Sequence, residues 1–302
     1  MKILLAGGTG FIGKPLRKEL FADGHELTVL TRSIKRQGFD RLKYITWDWR
    51  EPQDLTEIIS KVDIVINLAG ESIAKKKWTK EQKEKLFKSR VATTRAISEA
   101  INNSPKKPKK FISASAVGIY GNRFDEEITE SSSLGNDFLS SICKEWEKEA
   151  QKAQTSVIIL RFGIVLGKEG GALEKMIPLF KSFVGGPLGS GKQYMSWIAL
   201  DDVIRLIKFV YNDEKVSGII NAVSPNSVTN KEFSSTLGTV LNRPSFMPVP
   251  AFGLKLMFGE MSDLLLTGQK VIPEKAIRFG FKFKYPNLEE VLERYTKWRI
   301  RI

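Results

Sequence analysis

Short, continuous apolar runs alternate along the first half of the chain with longer segments whose apolar residues recur at helical spacing. Continuous apolar runs are typical of parallel strands buried on both faces, and the longer segments predict the helices that cover them. The predicted strands are 3–6, 26–32, 62–70, 110–117 and 156–162. The predicted helices are 14–20, 86–101 and 138–153. This alternation predicts an α/β protein with a Rossmann-type, doubly wound parallel sheet.

The pattern changes after Gly163. Gly, Pro and aromatic residues punctuate 167–197, and 244–250 is a proline-rich connector. We expect a Rossmann domain at 1–222 and a smaller C-terminal substrate lobe at 223–302, to which 167–197 contributes. At 302 residues, with 42% hydrophobic side chains, the chain can bury a core of this size.

A glycine turn joins the first predicted strand to the first predicted helix. Its spacing is G-x-x-G-x-x-G, from Gly7 through Gly10 to Gly13. Such glycines allow a tight turn, a close approach of backbone N–H groups to a pyrophosphate, and close packing of helix on strand. A glycine-rich loop without function is the alternative, but the strand before it and the helix after it favour a dinucleotide site. The predicted cofactor contacts are Gly7, Thr9, Gly10, Phe11, Ile12 and Gly13.

The second predicted strand ends at Thr31 and Arg32, with Ser33, Lys35 and Arg36 beyond. An acidic residue there would accept a hydrogen bond from the ribose 2′-hydroxyl of NAD(H), whereas arginine pairs with the 2′-phosphate of NADP(H). The sequence therefore predicts NADP(H), and 1–222 as its binding domain. An arginine that merely points to water is the alternative. The next strand ends in Leu68, Ala69 and Gly70, small or apolar residues that suit a cofactor crossing the strand ends.

A net charge of +14 raises the possibility of nucleic-acid binding. Lysines crowd 74–78, 80–85 and 104–110, but acidic residues interleave the second cluster as on a solvated helix face. Because no recognised nucleic-acid module accompanies them, a lysine-rich surface that attracts anionic nucleotides is the favoured interpretation.

Two residue types are nearly missing. The one cysteine, Cys143, excludes an internal disulfide and fits a reducing cytoplasm. The one histidine, His25, argues against histidine acid–base chemistry and against a multi-histidine metal site, so no metal is predicted. No apolar stretch approaches membrane-spanning length, and we expect a small-molecule partner and no membrane.

Several motifs occur in the order found in one superfamily. They are the glycine turn, 67–70 (NLAG), 115–121 (SAVGIYG), 161–167 (RFGIVLG) and 189–193 leading into 197–203. Together they resemble the extended short-chain dehydrogenase/reductases. Finer features at 69–73, 89–91, 144–147 and 266–275 resemble the YfcH-type epimerase family within it. The resemblance runs nearly end to end and implies an NAD(P)-binding Rossmann domain with a substrate lobe.

The resemblance also implies a catalytic tyrosine with a lysine four residues later, but Leu139 and Cys143 stand at those positions. Neither can do that chemistry. Ser115 occupies the place of the superfamily's substrate-orienting serine, and Tyr120 is a candidate proton donor; both are predicted as catalytic. Packing beside the backbone is the alternative for Ser115, and structural packing at the pocket rim is the alternative for Tyr120. Cys143 as a thiolate nucleophile is weighed against a small residue on a buried helix face.

Arg90 lies in the helix that the superfamily places along the cofactor, where its guanidinium could grip pyrophosphate or ribose. An exposed arginine is the alternative. The predicted substrate contacts are Glu71, Gln193, Tyr194 and Trp197, with Met195 in the same loop. Helix N-terminal charge is the alternative for Glu71, and core packing is the alternative for Trp197.

These features predict an NADP(H)-dependent oxidoreductase or epimerase-like enzyme that acts on a small organic or nucleotide-linked substrate. The missing Tyr and Lys leave a second interpretation open, a non-catalytic NADP(H)-binding regulatory or sensor protein. Substrate identity and oligomeric state are not predicted.

Overall fold

Seven parallel strands form the central sheet of the structure, a computed structural model that describes residues 1–32, 38, 40–50 and 53–296. They are β1 (Lys2–Ala6), β2 (Glu26–Thr31), β3 (Leu42–Thr46), β4 (Ile64–Asn67), β5 (Lys110–Ala116), β7 (Ser156–Phe162) and β11 (Gly218–Ala222). Their spatial order is β11-β7-β5-β4-β1-β2-β3, so the order reverses between β1 and β4. Ligands of doubly wound sheets bind at this reversal, and the Rossmann-type prediction is confirmed.

Six shorter strands pair outside this sheet. They are β6 (Glu127–Ile128), β8 (Ile164–Leu166), β9 (Tyr194–Met195), β10 (Trp197–Ala199), β12 (Val228–Thr229) and β13 (Lys270–Val271). The pairs are β8 with β10, β9 with β12 and β6 with β13. The pair of β6 with β13 joins the C-terminal part of the chain to the segment after β5. The other two pairs join 164–166 to 197–199 and 194–195 to 228–229.

The helices are α1 (Gly13–Ala22), α2 (Thr56–Ile59), α3 (Lys80–Asn103), α4 (Phe138–Gln151), α5 (Gly171–Lys181), α6 (Leu200–Asn212), α7 (Asn230–Leu241), α8 (Ala251–Phe258), α9 (Asp263–Leu266), α10 (Glu274–Arg278) and α11 (Leu288–Thr296). The predicted helix at 86–101 begins earlier, at Lys80, because Thr79 caps it by accepting a hydrogen bond from the Gln82 N–H. Asp137 caps α4 in the same way through Ser140.

Alternate residues of β1 enter two separate cores. Ile3 and Leu5 pack with α1 and α6, whereas Leu4 and Ala6 pack with α2, α3 and α4 on the other face. This is the burial on both faces that the continuous apolar runs predicted. A third core, in the lobe, joins α5, α7 and α11 around the buried Trp197. The division at 222 and 223 stays a prediction; the last sheet strand ends at Ala222.

Within the described residues, no helix combines the length and apolar character needed to cross a bilayer.

Candidate functional site

The predicted cofactor and catalytic residues follow the carboxyl ends of neighbouring strands. The glycine turn follows β1, Arg32 follows β2, Leu68 follows β4, and Ser115 lies at the end of β5. Because β2, β1, β4 and β5 are adjacent and parallel, these ends lie along one edge of the sheet, on both sides of the order reversal.

The glycine turn leaves no room for side chains at two positions. Gly7 has φ +78°, and a Cβ there would lie 2.6 Å from the Leu68 carbonyl carbon. A Cβ on Gly13 would lie 2.1 Å from the Gly7 carbonyl oxygen. At Gly10 the nearest heavy atom would be 3.3 Å away, and Gly10 and Thr9 are exposed. The turn therefore packs tightly against the protein and presents its open side, with the first turn of α1, to solvent.

Phe11 fixes this turn to the lobe. Its ring lies against three glycines, Gly167, Gly170 and Gly171, where a Cβ would come within 2.7 to 2.9 Å of ring atoms. Ile12 packs on the main core beside it. Phe11 thereby holds the β1–α1 turn and the start of α5 together, and the side chain does this by packing.

Charged side chains of both signs meet at the end of β2. The Arg32 Nη1 atom lies 3.6 Å from the Glu71 Oε2 atom. Asp48, which follows β3, receives two hydrogen bonds from Arg50 Nε, at 3.0 and 3.1 Å, and these bonds hold the pKa of the Asp48 carboxyl below its usual range. Thr31 pairs in register with Thr46. Ser33, Lys35 and Arg36 lie outside the described residues.

Hydrogen bonds of Asn67, the last residue of β4, anchor the segment that follows it. Asn67 accepts a hydrogen bond from the Ala69 N–H and donates one to Thr94 on α3. Gly70 is exposed and lies against Arg90, where a Cβ would be 3.3 Å from the guanidinium carbon. Leu68, Ala69 and Gly70 thus form a fixed wall opposite the glycine turn.

The Arg90 side chain binds the backbone of the segment that follows β4. Its Nη2 donates to the Glu71 carbonyl at 3.0 Å, and its guanidinium lies 5.3 Å from the centre of the Trp146 ring. Burial lowers the pKa of Arg90. Its predicted grip on the cofactor stays a prediction; the observed contacts make it a support for Glu71.

A buried ion pair lies beneath Ser115. Ser115 Oγ donates to Glu147 at 2.6 Å, and Arg161 binds both carboxylate oxygens of Glu147, at 2.8 and 2.7 Å. All three side chains are buried. Burial alone would lower the pKa of Arg161, but the hydrogen bonds and charge of Glu147 outweigh burial and raise it. Because its hydrogen is committed to Glu147, the Ser115 hydroxyl is left with only its acceptor lone pairs.

Tyr120 belongs to the same buried network. Its hydroxyl accepts from Arg161 Nη1 at 2.8 Å and donates to Asn221 Oδ1 at 2.7 Å. The side chain is fully buried, and burial raises the pKa of Tyr120. This placement favours structural packing, and a catalytic role for Tyr120 stays a prediction.

Leu139 and Cys143 lie on the face of α4 that meets the end of β5, at the positions of the missing Tyr and Lys. A Cβ on Gly118 would lie 3.5 Å from the Leu139 Cβ, and Cys143 packs in a buried cluster with Tyr120 and Ala116. Burial raises the pKa of Cys143 to about 12, so the thiol is protonated at neutral pH. Sequence reasoning missed Glu147, although its spacing of four from Cys143 put it on this same face.

The predicted substrate residues divide between two places. Gln193 donates to the carbonyls of Leu188 and Leu265, at 3.0 and 2.7 Å, and the Lys270 ammonium lies 5.7 Å from the Tyr194 ring centre. Trp197 is fully buried in the lobe core and donates to the Asn226 carbonyl. Its placement favours core packing, and Met195 is buried beside it. Glu71 pairs with Arg32, at the end of β2.

The C-terminal segment at 266–273 closes over the loop that follows β5. Gln269 donates to the Val117 carbonyl at 2.7 Å, and the Gly268 N–H donates to the Asn122 side chain at 3.2 Å. A second contact of the C-terminal part joins Lys83, at the start of α3, with Glu260 beyond α8. This C-terminal segment therefore covers the loop that follows Ser115 at the end of β5.

Comparison with known proteins agrees with this architecture. Residues 3–222 match the model of the NAD dependent epimerase/dehydratase family. The chain belongs to that family. Residues 249–295 match a second model, described as a domain of unknown function (DUF1731). The predicted membership of an epimerase family with a characteristic C-terminal region is confirmed.

Family members of known sequence or structure align along nearly the whole chain. An Arabidopsis thaliana epimerase family protein, an SDR39U1 homolog named as chloroplastic, is 41% identical over 97% of this chain and 86% of its own length. The human epimerase family protein SDR39U1, solved with NADPH, superposes with a TM-score of 0.89 at 33% identity and covers 98% of this chain and 99% of its own. A Corynebacterium glutamicum nucleoside-diphosphate sugar epimerase has a TM-score of 0.76 at 30% identity, over 97% of this chain and 57% of its own. Family and relatives support a nicotinamide nucleotide as cofactor.

Proposed function

We propose that the chain binds NADP(H) along the carboxyl edge of its sheet and catalyses hydride transfer on a small organic or nucleotide-linked substrate, as an oxidoreductase or epimerase-like enzyme. The observation that carries this proposal is the glycine turn, packed closely at Gly7 and Gly13 and open at Gly10, with Arg32 at the neighbouring strand end. A glycine-rich turn that is open at Gly10, beside a helix N-terminus, suits a pyrophosphate. The NADPH in the human relative supports the choice of cofactor.

Different residues of this chain would bind the cofactor and the substrate. Backbone N–H groups at 11–13 would hold the pyrophosphate, since the Gly10 N–H already donates to the Gly7 carbonyl at 3.0 Å. Arg32 would hold the 2′-phosphate, and 68–70 would contact the cofactor from β4. The bound nucleotide supplies a hydride donor or acceptor. Ser115, with its own hydrogen held by Glu147, would accept a hydrogen bond from a substrate hydroxyl and so orient the carbon that bears it. Gln193 and Tyr194 would contact the rest of the substrate. The name of the Corynebacterium relative supports a nucleotide-linked one.

Exchanging Arg32 for Asp is expected to erase the preference for NADPH. A hydrogen-bonded charge pair contributes about 1.5 to 3 kcal/mol, so the NADPH-to-NADH affinity ratio should fall about 10- to 100-fold. Titration of the wild type and Arg32→Asp with both nucleotides, followed by nicotinamide fluorescence, measures it.

Arg278→Asp is the matched control, since it changes the charge equally on α10, which packs against β11 at the far edge of the sheet. A wild type that binds neither nucleotide would overturn the proposal.

One observation favours a second candidate, a non-catalytic NADP(H)-binding regulatory or sensor protein. Leu139 and the protonated Cys143 stand at the usual Tyr and Lys positions, and the Tyr120 hydroxyl is enclosed. For the enzyme, we expect NADPH oxidation with at least one member of a panel of carbonyl compounds and sugar nucleotides, and a loss of about 10- to 1000-fold in turnover in Ser115→Ala. NADPH binding with no turnover across the panel would favour the sensor instead.

A further inference from the structure

Glu71 brings a carboxylate to the guanidinium that the proposed function assigns to the 2′-phosphate. Its Oε2 atom lies 3.6 Å from Arg32 Nη1. The two residues follow different strands, Arg32 after β2 and Glu71 after β4, and meet across the end of β1. An acidic residue at this point is typical of NAD(H) sites, where it accepts from the ribose 2′-hydroxyl, and an arginine is typical of NADP(H) sites, where it pairs with the 2′-phosphate. This chain has both.

Glu71 is the fixed member of this pair. Its N–H donates to Ser89 Oγ at 3.1 Å, and its carbonyl accepts from Arg90 at 3.0 Å. Ser89 is buried, and Arg90 is held against Trp146. The Glu71 side chain is 23% exposed, whereas that of Arg32 is 64% exposed. Arg32 can therefore swing toward an incoming anion while the carboxylate stays at the site.

Hydrogen bonds from Arg50 lower the pKa of the neighbouring carboxyl of Asp48, and the charge of Arg32 adds to this effect. Asp48 is paired with Arg50 through both of its carboxylate oxygens, so its charge is already compensated. The Arg32–Glu71 distance exceeds that of a hydrogen bond, and an exposed pair of this kind is weak. An anion can displace Glu71 from Arg32 at low cost.

We propose that Glu71 determines the ratio of NADPH to NADH affinity, by competing with the 2′-phosphate for Arg32 and by offering an acceptor to a free 2′-hydroxyl. This inference rests on the proposed function. The carboxylate repels a phosphate dianion and accepts a hydrogen bond from a hydroxyl, so its two effects act in the same direction. The site is thereby less selective for NADPH than Arg32 alone would make it.

Glu71→Gln tests the proposal through binding, without any substrate. The NADPH-to-NADH affinity ratio should rise about three- to tenfold, and affinity for adenosine 2′,5′-bisphosphate, measured by calorimetry, should rise with it. The gain should shrink as salt is raised, because the Debye length falls. Glu71→Asp keeps the charge and should change the ratio less than Glu71→Gln does.

Glu57→Gln is the matched control, because Glu57 on α2 forms an exposed pair with Lys61 and its loss should leave the ratio unchanged. The inference alone would be overturned by one combination of results. In it, the wild type prefers NADPH and Arg32→Asp loses that preference, but Glu71→Gln leaves the NADPH-to-NADH affinity ratio unchanged. Absence of NADPH binding to the wild type would overturn the proposed function, and this inference with it.

Discussion

Glu147→Ala is expected to destabilise the protein by about 3 to 5 kcal/mol, the typical cost of leaving one member of a buried ion pair without its partner. Arg161 is buried, makes two hydrogen bonds to Glu147 and has its remaining partner, Tyr120, in the same network. With Glu147 replaced by Ala, the guanidinium keeps its charge and loses its counter-ion. Chemical denaturation followed by circular dichroism measures the free energy of unfolding.

The double variant Glu147→Leu with Arg161→Met separates lost packing from lost charge. It removes both charges and keeps comparable volume, so most of the stability should return. Glu145→Ala on the same helix is the control, because Glu145 forms an exposed pair with Lys148 and its loss should cost about 0.5 kcal/mol or less. Additive effects of the two single substitutions would contradict the coupling between Glu147 and Arg161.

Gly7→Ala is expected to destabilise the protein by about 2 to 4 kcal/mol and to remove nucleotide binding. The added methyl would lie 2.6 to 2.8 Å from the Leu68 carbonyl group and the Ala69 nitrogen, which are backbone atoms of an anchored segment. The φ of +78° adds about 1 to 2 kcal/mol for a residue with a Cβ. Relief of the steric clash or of the unfavourable φ would move the β1–α1 turn away from β4. Thermal unfolding and NADPH titration are the measurements.

Gly10→Ala is the matched substitution in the same turn. Its Cβ would meet only the Gly7 carbonyl oxygen, at 3.3 Å, and Gly10 is exposed, so the change in stability should stay within about 1 kcal/mol. The methyl would nevertheless occupy the open side of the turn, and NADPH binding should weaken while the fold persists. Equal stability of Gly7→Ala and wild type would contradict the packing of this turn.

The surroundings of Ser115 differ from the superfamily pattern in their polar groups. The Glu147 carboxylate holds the Ser115 hydroxyl, and it lies on α4 one turn beyond Cys143, the usual lysine position. Arg161 then neutralises that carboxylate. Ser115 is thus held in one orientation by groups that are themselves buried and hydrogen-bonded, which suits a residue that orients a substrate.

The sequence by itself determined the α/β architecture and the edge of the sheet that carries the site. Both depend on local signals: apolar runs long enough for buried strands, helical spacing between them, and glycines placed directly after a strand. The position of Arg32 after β2 also followed from counting along one βαβ unit. Where local capping was overlooked, as with Thr79, a predicted helix boundary was wrong.

Only the tertiary structure decided which side chains meet. Ser115 and Glu147 are 32 positions apart, and Tyr120 and Asn221 are 101 apart. The Arg32–Glu71 pair likewise joins the ends of two strands that β1 separates. Such contacts depend on how helices dock on the sheet and on the strand order, which no pattern within a single segment contains. The buried position of Trp197 was decided in the same way, because residues of β8, α7 and α11 enclose it only after the lobe has assembled.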